Sequence, residues 1–323
     1  MRAAVVHEWG GPEAFSIENV PDPVPRPGEV VVALRAGSLN WHDAIVRRGD
    51  RDLPLPCILG MDGAGVRTDT GGEVVIYPCL GWAPGAPFPG AELTVIGDET
   101  DGTYAEYISV PEQNLFAKPP QLSWHEAASL PCAALTAYRA MFTRAGLRPG
   151  ETALILGAGS GVSTFAIKFG AAIGARVLVT SSTPAKVEAA RTAGATAGFL
   201  YPDPDWPQQV QEFTSGGVDV ILSGAGSNLP EALRCLRAGG RISVFGSTGG
   251  RAALVDIPTL YLSHASIFGV TLGSPDDFRS MLKMVDDFGI RPTLDSSFAL
   301  ADIADAHQLL ESNAHTGKIT FGY

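Results

Sequence analysis

The spacing of hydrophobic positions changes once along this chain. Up to about residue 120, apolar residues come in short β-branched runs at 30–34, 63–66, 74–77 and 104–110, each bounded by glycine or proline. Short strands between turn residues predict a compact β-rich domain, a partly open barrel. Beyond Pro119 and Pro120 helical spacing begins. Ser123 followed by Glu126 forms a capping box, which predicts a helix over 124–130 ending before Pro131, and a second helix spans 134–145. From Glu151 strand and helix alternate: apolar strands at 153–156, 176–180, 218–222 and 241–245, and helices at 162–173, 185–193 and 229–238, the last stopped by Gly239 and Gly240. Continuous apolar strands alternating with helices predict an α/β arrangement, a doubly wound parallel sheet covered on both faces. Helices at 275–288 and 301–312 and a strand at 317–321 close the pattern.

Composition narrows the functions available. The 323 residues carry 23 basic and 34 acidic side chains, a net charge of −11. That field repels phosphate backbones and acidic lipid, so nucleic acid and membrane surfaces are excluded as partners. The first eight residues return to charge after four apolar positions, too short for a signal-peptide core. The uncharged run 74–91 holds four prolines and three glycines, the texture of a surface loop, and 152–167 is glycine-rich and too short to span a bilayer. A soluble cytoplasmic protein is expected. Cysteines 57, 79, 132 and 235 show no metal-binding or disulfide spacing and read as reduced thiols.

The chemistry begins where the first apolar strand ends, in Gly157-Ala158-Gly159-Ser160-Gly161-Val162-Ser163. A glycine turn between strand and helix lets backbone approach a pyrophosphate, which rests on the helix's unpaired N–H groups. Gly159, Ser160, Gly161 and Val162 are the candidate contacts. The second strand ends near Ser181 and Ser182, where an NAD site carries a carboxylate for the ribose 2′-hydroxyl. No acid lies between Arg176 and Val187. Ser181 and Ser182 as donors and Lys186 as a charge favour a 2′-phosphate, and hence NADPH. The alternative use of Ser182 or Thr183 is to cap the following helix, with Lys186 in solvent.

Several further segments recur in a known order: 36–43 (AGSLNWHD), 56–66 (PCILGMDGAGV), 101–107 (DGTYAEY), 130–138 (LPCAALTAY), Gly239-Gly240-Arg241 and Thr316-Gly317-Lys318-Ile319. On these the chain resembles the medium-chain dehydrogenase/reductase superfamily, and within it the zinc-free quinone oxidoreductase branch. The resemblance implies a GroES-like catalytic domain over 1–122, a Rossmann dinucleotide-binding domain over 123–262, and a segment over 263–323 that bridges the Rossmann edge and returns to the catalytic domain. Where zinc alcohol dehydrogenases hold catalytic metal this chain has Asn40, Met61-Asp62 and Cys132. A catalytic zinc needs three protein ligands and an open position, so no metal site is expected.

Asn40 and Asp43 are the catalytic residues the resemblance implies, Asn40 beside the nicotinamide ribose and substrate and Asp43 behind it. It further places Thr136, Phe245 and Gly246 at the nicotinamide, Leu272 as a cofactor contact on the following strand, Tyr201 at the adenosine phosphate, and Lys318 near the cleft. As residues alone, Asn40 and Asp43 equally suit a helix start, and Tyr201 and Phe245 a core. Two positions depart from the family: Asp50 stands where a tyrosine often follows the Arg-x-Gly run, and Ser163 where glycine is usual. Tyr104, His42 and solvent stay open as proton donors. Residues 266–271 resemble the edge strand through which such proteins form homodimers. The implied activity is NADPH-dependent hydride transfer to a quinone or α,β-unsaturated carbonyl, without zinc. Trp82 and Phe88, in the run 79–97, would edge the site for a small hydrophobic acceptor. Alcohol dehydrogenase or carbonyl reductase activity, and a non-catalytic NADPH-binding sensor or scaffold, are the other readings.

Overall fold

The β-branched runs of the N-terminal half close around one long strand, Glu29–Ser38. This computed structural model describes residues 1–50 and 54–323. They form two units, one of Met1–Leu135 with Ser274–Tyr323, the other of Thr136–Gly273.

In the first unit a seven-stranded sheet runs in the order Leu115–Ala117, Glu73–Ile76, Asp62–Arg67, Glu29–Ser38, Lys318–Gly322 and Leu294–Ala299, with Tyr107–Pro111 also paired to Glu29–Ser38. Its register sets Ser38 opposite Asp62 on one neighbour and Thr320 on the other. Gly37 is next to this crossing, where a Cβ would fall 2.3 Å from Cζ of Phe321. Glycine is what lets the tip of the aromatic ring approach the strand. A small sheet of Phe15–Asn19, Arg2–Val6 and Cys57–Ile58 completes the barrel side. Its core joins Ala4, Val6, Leu59 and Tyr104 to Ile303, Leu310 and Phe321 from the far end of the chain.

The second unit is a six-stranded, wholly parallel sheet in the order Ala197–Leu200, Arg176–Ser181, Thr152–Leu156, Val218–Ser223, Leu236–Val244 and Ser266–Gly269. In chain order that is 3-2-1-4-5-6, the doubly wound Rossmann topology, whose ligands bind beyond the carboxyl ends of the strands.

The structure corrects the pattern in several places. The strand Ala197–Leu200 and the helix Trp206–Thr214 were not expected. One is only four residues long with a glycine inside, and the other begins at Trp206-Pro207, where proline fills the first helical turn. The helix expected over 229–238 ends at Cys235, because Leu236 already pairs with Val218 before a bulge leads into Arg241. The helix expected over 134–145 is an α-helix, Ala133–Tyr138, followed by a π-helical stretch, Arg139–Arg144. The strand expected from 104 starts at Tyr107. The run 74–91 is not wholly surface loop: Val74, Val75, Ile76, Tyr77, Cys79 and Trp82 are buried, and the Trp82 indole donates to the Ala86 carbonyl. Among the described residues, no helix is long and apolar enough to cross a membrane.

Candidate active site

The register of the first unit's sheet gathers a buried polar cluster. Ser38 and Asp62 face each other across two strands, and Lys318 enters from the third. Lys318 Nζ donates to three acceptors: the Leu39 carbonyl at 2.8 Å, Asn40 Oδ1 at 2.6 Å and Asp62 Oδ2 at 3.0 Å. Asp62 also accepts from the Ser38 hydroxyl at 2.6 Å and from the Cys132 backbone N–H at 2.8 Å. Lys318 is 3% exposed and Asp62 0%. A buried ion pair is tolerated only when its remaining donors and acceptors are matched, and this one is.

Asn40 precedes the helix Trp41–Arg47 and has extended backbone. Its role as a helix start is realised in half. Its N–H donates to Asp43 Oδ2 at 2.7 Å, the return arm of a capping box, while its side-chain oxygen is turned to Lys318 instead of the helix. Behind Asp43 the chain of bonds continues inward, through the Tyr104 hydroxyl at 3.1 Å to His307 Nε2, a further 3.1 Å away. Burial raises the Asp43 carboxyl from 3.8 to about 6. Burial, with help from Arg47 and Arg48, lowers His307 to about 3, so the imidazole is neutral and its Nε2–H donates to the Tyr104 oxygen. Tyr104 then donates to Asp43. Burial and the Asp43 charge push its phenol well above the usual range, and its hydroxyl is fully enclosed. Of the candidate proton donors, Tyr104 thus stands one bond behind Asp43. His42 pairs instead with Asp98 at 3.1 Å.

In the second unit the glycine turn follows the strand Thr152–Leu156 and opens the helix Gly161–Ala172. Gly157 takes φ +83°, which favours glycine, and its N–H donates to Thr180 Oγ1 on the neighbouring strand. Ser160 caps the helix by accepting from the Ser163 N–H, and its hydroxyl also bonds the Ser163 hydroxyl at 2.7 Å. Ser163 is buried there. Serine at 163 is thus held within the turn by its own hydrogen bonds. A Cβ on Gly159 would fall 3.1 Å from Cδ and 3.3 Å from Nζ of Lys186, so the lysine lies directly over the turn. Thr183, not Ser182, caps the helix Pro184–Thr192. Ser181 ends its strand and accepts the Tyr201 N–H on its carbonyl, which brings Tyr201 beside it.

Phe245 and Gly246 follow the strand Leu236–Val244, and Leu272 lies three residues past Ser266–Gly269 with φ +44°. Phe245 covers Gly224, and a Cβ on Gly246 would lie 2.5 Å from the Gly224 carbonyl oxygen. Each of these positions, other than Thr136 on the helix Ala133–Tyr138, follows the carboxyl end of a parallel strand, the edge where a doubly wound sheet binds its ligand.

Comparison with known proteins agrees with this architecture. Residues 26–120 match the alcohol dehydrogenase GroES-like domain and residues 161–287 the zinc-binding dehydrogenase family. A zinc-type alcohol dehydrogenase-like protein of Schizosaccharomyces pombe is 36% identical over 91% of this chain and 90% of its own. The chain belongs to the medium-chain dehydrogenase/reductase superfamily. Human quinone oxidoreductase, a further relative, is 27% identical across 99% of this chain and 97% of its own. A solved NAD-dependent alcohol dehydrogenase superposes with a TM-score of 0.95 at 34% identity, each chain covered completely. As a member of this superfamily the chain is an oxidoreductase dependent on a nicotinamide dinucleotide.

The dinucleotide fits the residues present: a glycine turn joins the strand Thr152–Leu156 to the start of the helix Gly161–Ala172, with Gly157 at φ +83° and the Lys186 side chain against Gly159. A zinc ion in the first unit does not fit. The Asn40 amide oxygen and Asp62 both accept from the Lys318 ammonium, whose buried charge repels a divalent cation at the same atoms. Among the described residues no three His, Cys, Asp or Glu side chains are grouped to hold a metal. Sequence reasoning missed Ser38 and His307. Their partners lie 24 and 203 residues away. No local signal marks either one.

Proposed function

We propose that this medium-chain dehydrogenase/reductase is a zinc-independent, NADPH-dependent reductase of quinones or α,β-unsaturated carbonyls. The observation that carries the reading is the Lys318 ammonium bound to Asn40 and Asp62, a fixed organic cation at the positions zinc relatives give to metal ligands. Without a Lewis acid, simple alcohol oxidation loses its main source of catalysis, whereas a conjugated acceptor spreads the arriving charge over itself. NADPH, when bound, supplies the hydride. Ser181, Ser182 and Lys186, with no acid from Arg176 to Val187, support the 2′-phosphate. Gly159, Ser160, Gly161 and Val162 take the pyrophosphate in this reading, Tyr201 the adenosine side, and Thr136, Phe245, Gly246 and Leu272 the nicotinamide. Asn40 faces the acceptor and Asp43 fixes Asn40 from behind.

A homodimer completes the proposal. Among the described residues the edge strand Ser266–Gly269 pairs on one side only, and Leu254, Ile257, Tyr261, Leu262 and Ile267, close to it along the chain, are exposed apolar side chains. A second copy of the chain is the occupant that satisfies both.

The test is oxidation of NADPH by chelator-treated protein, followed by nicotinamide absorbance against quinones, enones and aldehydes, with NADH for comparison. Turnover with a quinone or enone, faster with NADPH, is the expected result. Activity that vanishes with the chelator and returns with zinc would replace this reading by a metal-dependent alcohol dehydrogenase, the reading that the likeness to an NAD-dependent alcohol dehydrogenase favours.

A further inference from the structure

Within the first unit's polar cluster one donor is left over. Among the described residues Asn40 Nδ2 has no hydrogen-bond partner, on a residue that is 8% exposed. A buried unpaired N–H group costs stability and calls for a reason. The reason begins with Lys318. An ammonium has three donors and no acceptor, and all three protons are committed, to Leu39 O, Asn40 Oδ1 and Asp62 Oδ2. Lys318 therefore has nothing left to offer a ligand directly. It does fix the amide: Oδ1 must face the ammonium, because the flipped amide would set N–H against N–H. Nδ2 is thereby held on the opposite side of the carboxamide, and drawing electron density toward Oδ1 strengthens it as a donor.

We propose that Asn40 Nδ2 donates the hydrogen bond that stabilises the carbonyl oxygen of the acceptor during reduction, and that Lys318 is the positioning residue that locks and polarises the amide. This rests on the reductase reading. In the reduction of an enone, hydride forms a bond to the β-carbon, and the C=C pair moves to join the α-carbon and the carbonyl carbon. The C=O pair moves onto oxygen. A solvent proton then closes the α-carbon, so the acceptor gains two electrons and the nicotinamide ends two electrons oxidised. For a quinone the same addition places the charge on a carbonyl oxygen, which solvent protonates, and the carbon that took the hydride then loses a proton to solvent as the second oxygen gains one, giving the hydroquinone. Asn40 gives up no proton; its N–H meets the oxygen as charge develops there, which is where a preorganised donor acts most strongly. The acceptor class follows from the charges. Lys318 and Asp62 cancel, and Asp43 stands behind Asn40. What the cluster offers is a dipole with surplus negative charge behind it, which suits a neutral carbonyl and disfavours a carboxylate or phosphate.

Asn40→Asp is the discriminating variant, since its carboxylate still accepts from Lys318 while the donor is replaced by a negative charge that opposes charge on the acceptor oxygen. With saturating NADPH and either benzoquinone or cyclohexenone, kcat is expected to fall about a hundredfold, while the NADPH dissociation constant, read by nicotinamide fluorescence, stays within about threefold. A paired variant, Lys318→Met with Asp62→Asn, avoids stranding a buried charge and is expected to lower kcat about tenfold at unchanged NADPH affinity. A readout without turnover comes from the five asparagines of the chain. In cofactor-free protein labelled with 15N at asparagine, the Asn40 side-chain amide pair is expected to shift in the paired variant.

If Asn40→Asp keeps its kcat, or loses activity only through weaker NADPH binding, the donor is not aimed at the acceptor and the inference falls while the reductase reading stands. If the paired variant loses NADPH affinity, Lys318 is a cofactor contact and not a positioning residue. If the Asn40 amide does not shift in the paired variant, Lys318 does not hold it. Failure of the wild-type protein to reduce either acceptor, or any of the wider panel, removes the reading itself and the inference with it.

Discussion

Asp43 and His307 are two bonds apart through Tyr104 and titrate in opposite senses. The folded Asp43 carboxyl, near 6, binds its proton more tightly than an unfolded aspartate at 3.8. Between these values the native state holds the extra proton, so this group makes stability fall as pH rises. His307 is lowered from 6.5 to about 3, so in its window the unfolded state holds the extra proton and stability falls as pH drops. Between about pH 4 and 6 the two slopes oppose each other. Asp43→Asn removes one of them while keeping an acceptor for Asn40 N–H and Tyr104. The variant is expected to lose, on acidification through that window, on the order of 1.4 kcal/mol per pH unit more than the wild type. Urea unfolding at a series of pH values measures it; parallel slopes for the two proteins would contradict the assignment. Of these residues the sequence marked Asn40 and Asp43 by their three-residue spacing, whereas the depth of Tyr104 and the presence of His307 came from pairings far apart in the chain.

At the scale of elements, the helix Pro275–Asp287 illustrates what periodicity can deliver. Its capping serine, Ser274, accepts from the Asp277 N–H, and its apolar stripe buries Phe278, Met281, Leu282, Met284 and Val285. Phe278 lies edge-on to Phe116 at 4.9 Å and tilted against Tyr77 at 5.4 Å, fixing the C-terminal segment onto the first unit's sheet. Phe278→Ala is expected to cost about 3–5 kcal/mol by leaving a cavity between those rings. Thermal or denaturant unfolding reads the loss, and a change below about 1 kcal/mol would mean the site collapses around the missing ring. Elements with strong caps and a clean stripe were legible within a residue or two. The short strand Ala197–Leu200 was not, because four residues with a glycine inside carry no period of their own and are held by the pairing with Arg176–Ser181.

At the scale of the whole molecule, the exposed edge strand and its neighbouring apolar side chains bear on assembly. Ile267→Lys places a charge on the edge strand Ser266–Gly269, and the proposed dimer is expected to dissociate to a 33.8 kDa monomer in sedimentation velocity. An unchanged sedimentation coefficient would point to a different interface or to none.

The sequence by itself determined the order of most elements, the glycine turn between strand and helix, and the family pattern on which the oxidoreductase class rests. All of these are encoded locally, in periods, caps and turn residues. What only the tertiary structure decided is the state of the polar side chains. Lys318 read as a contact near the cleft, but three of its protons are spent on Leu39, Asn40 and Asp62, because the register sets Ser38 opposite Asp62 and brings the last strand alongside. Hydrogen-bond satisfaction is a property of groups that meet across hundreds of residues, and no local pattern records which of a lysine's three donors remains free.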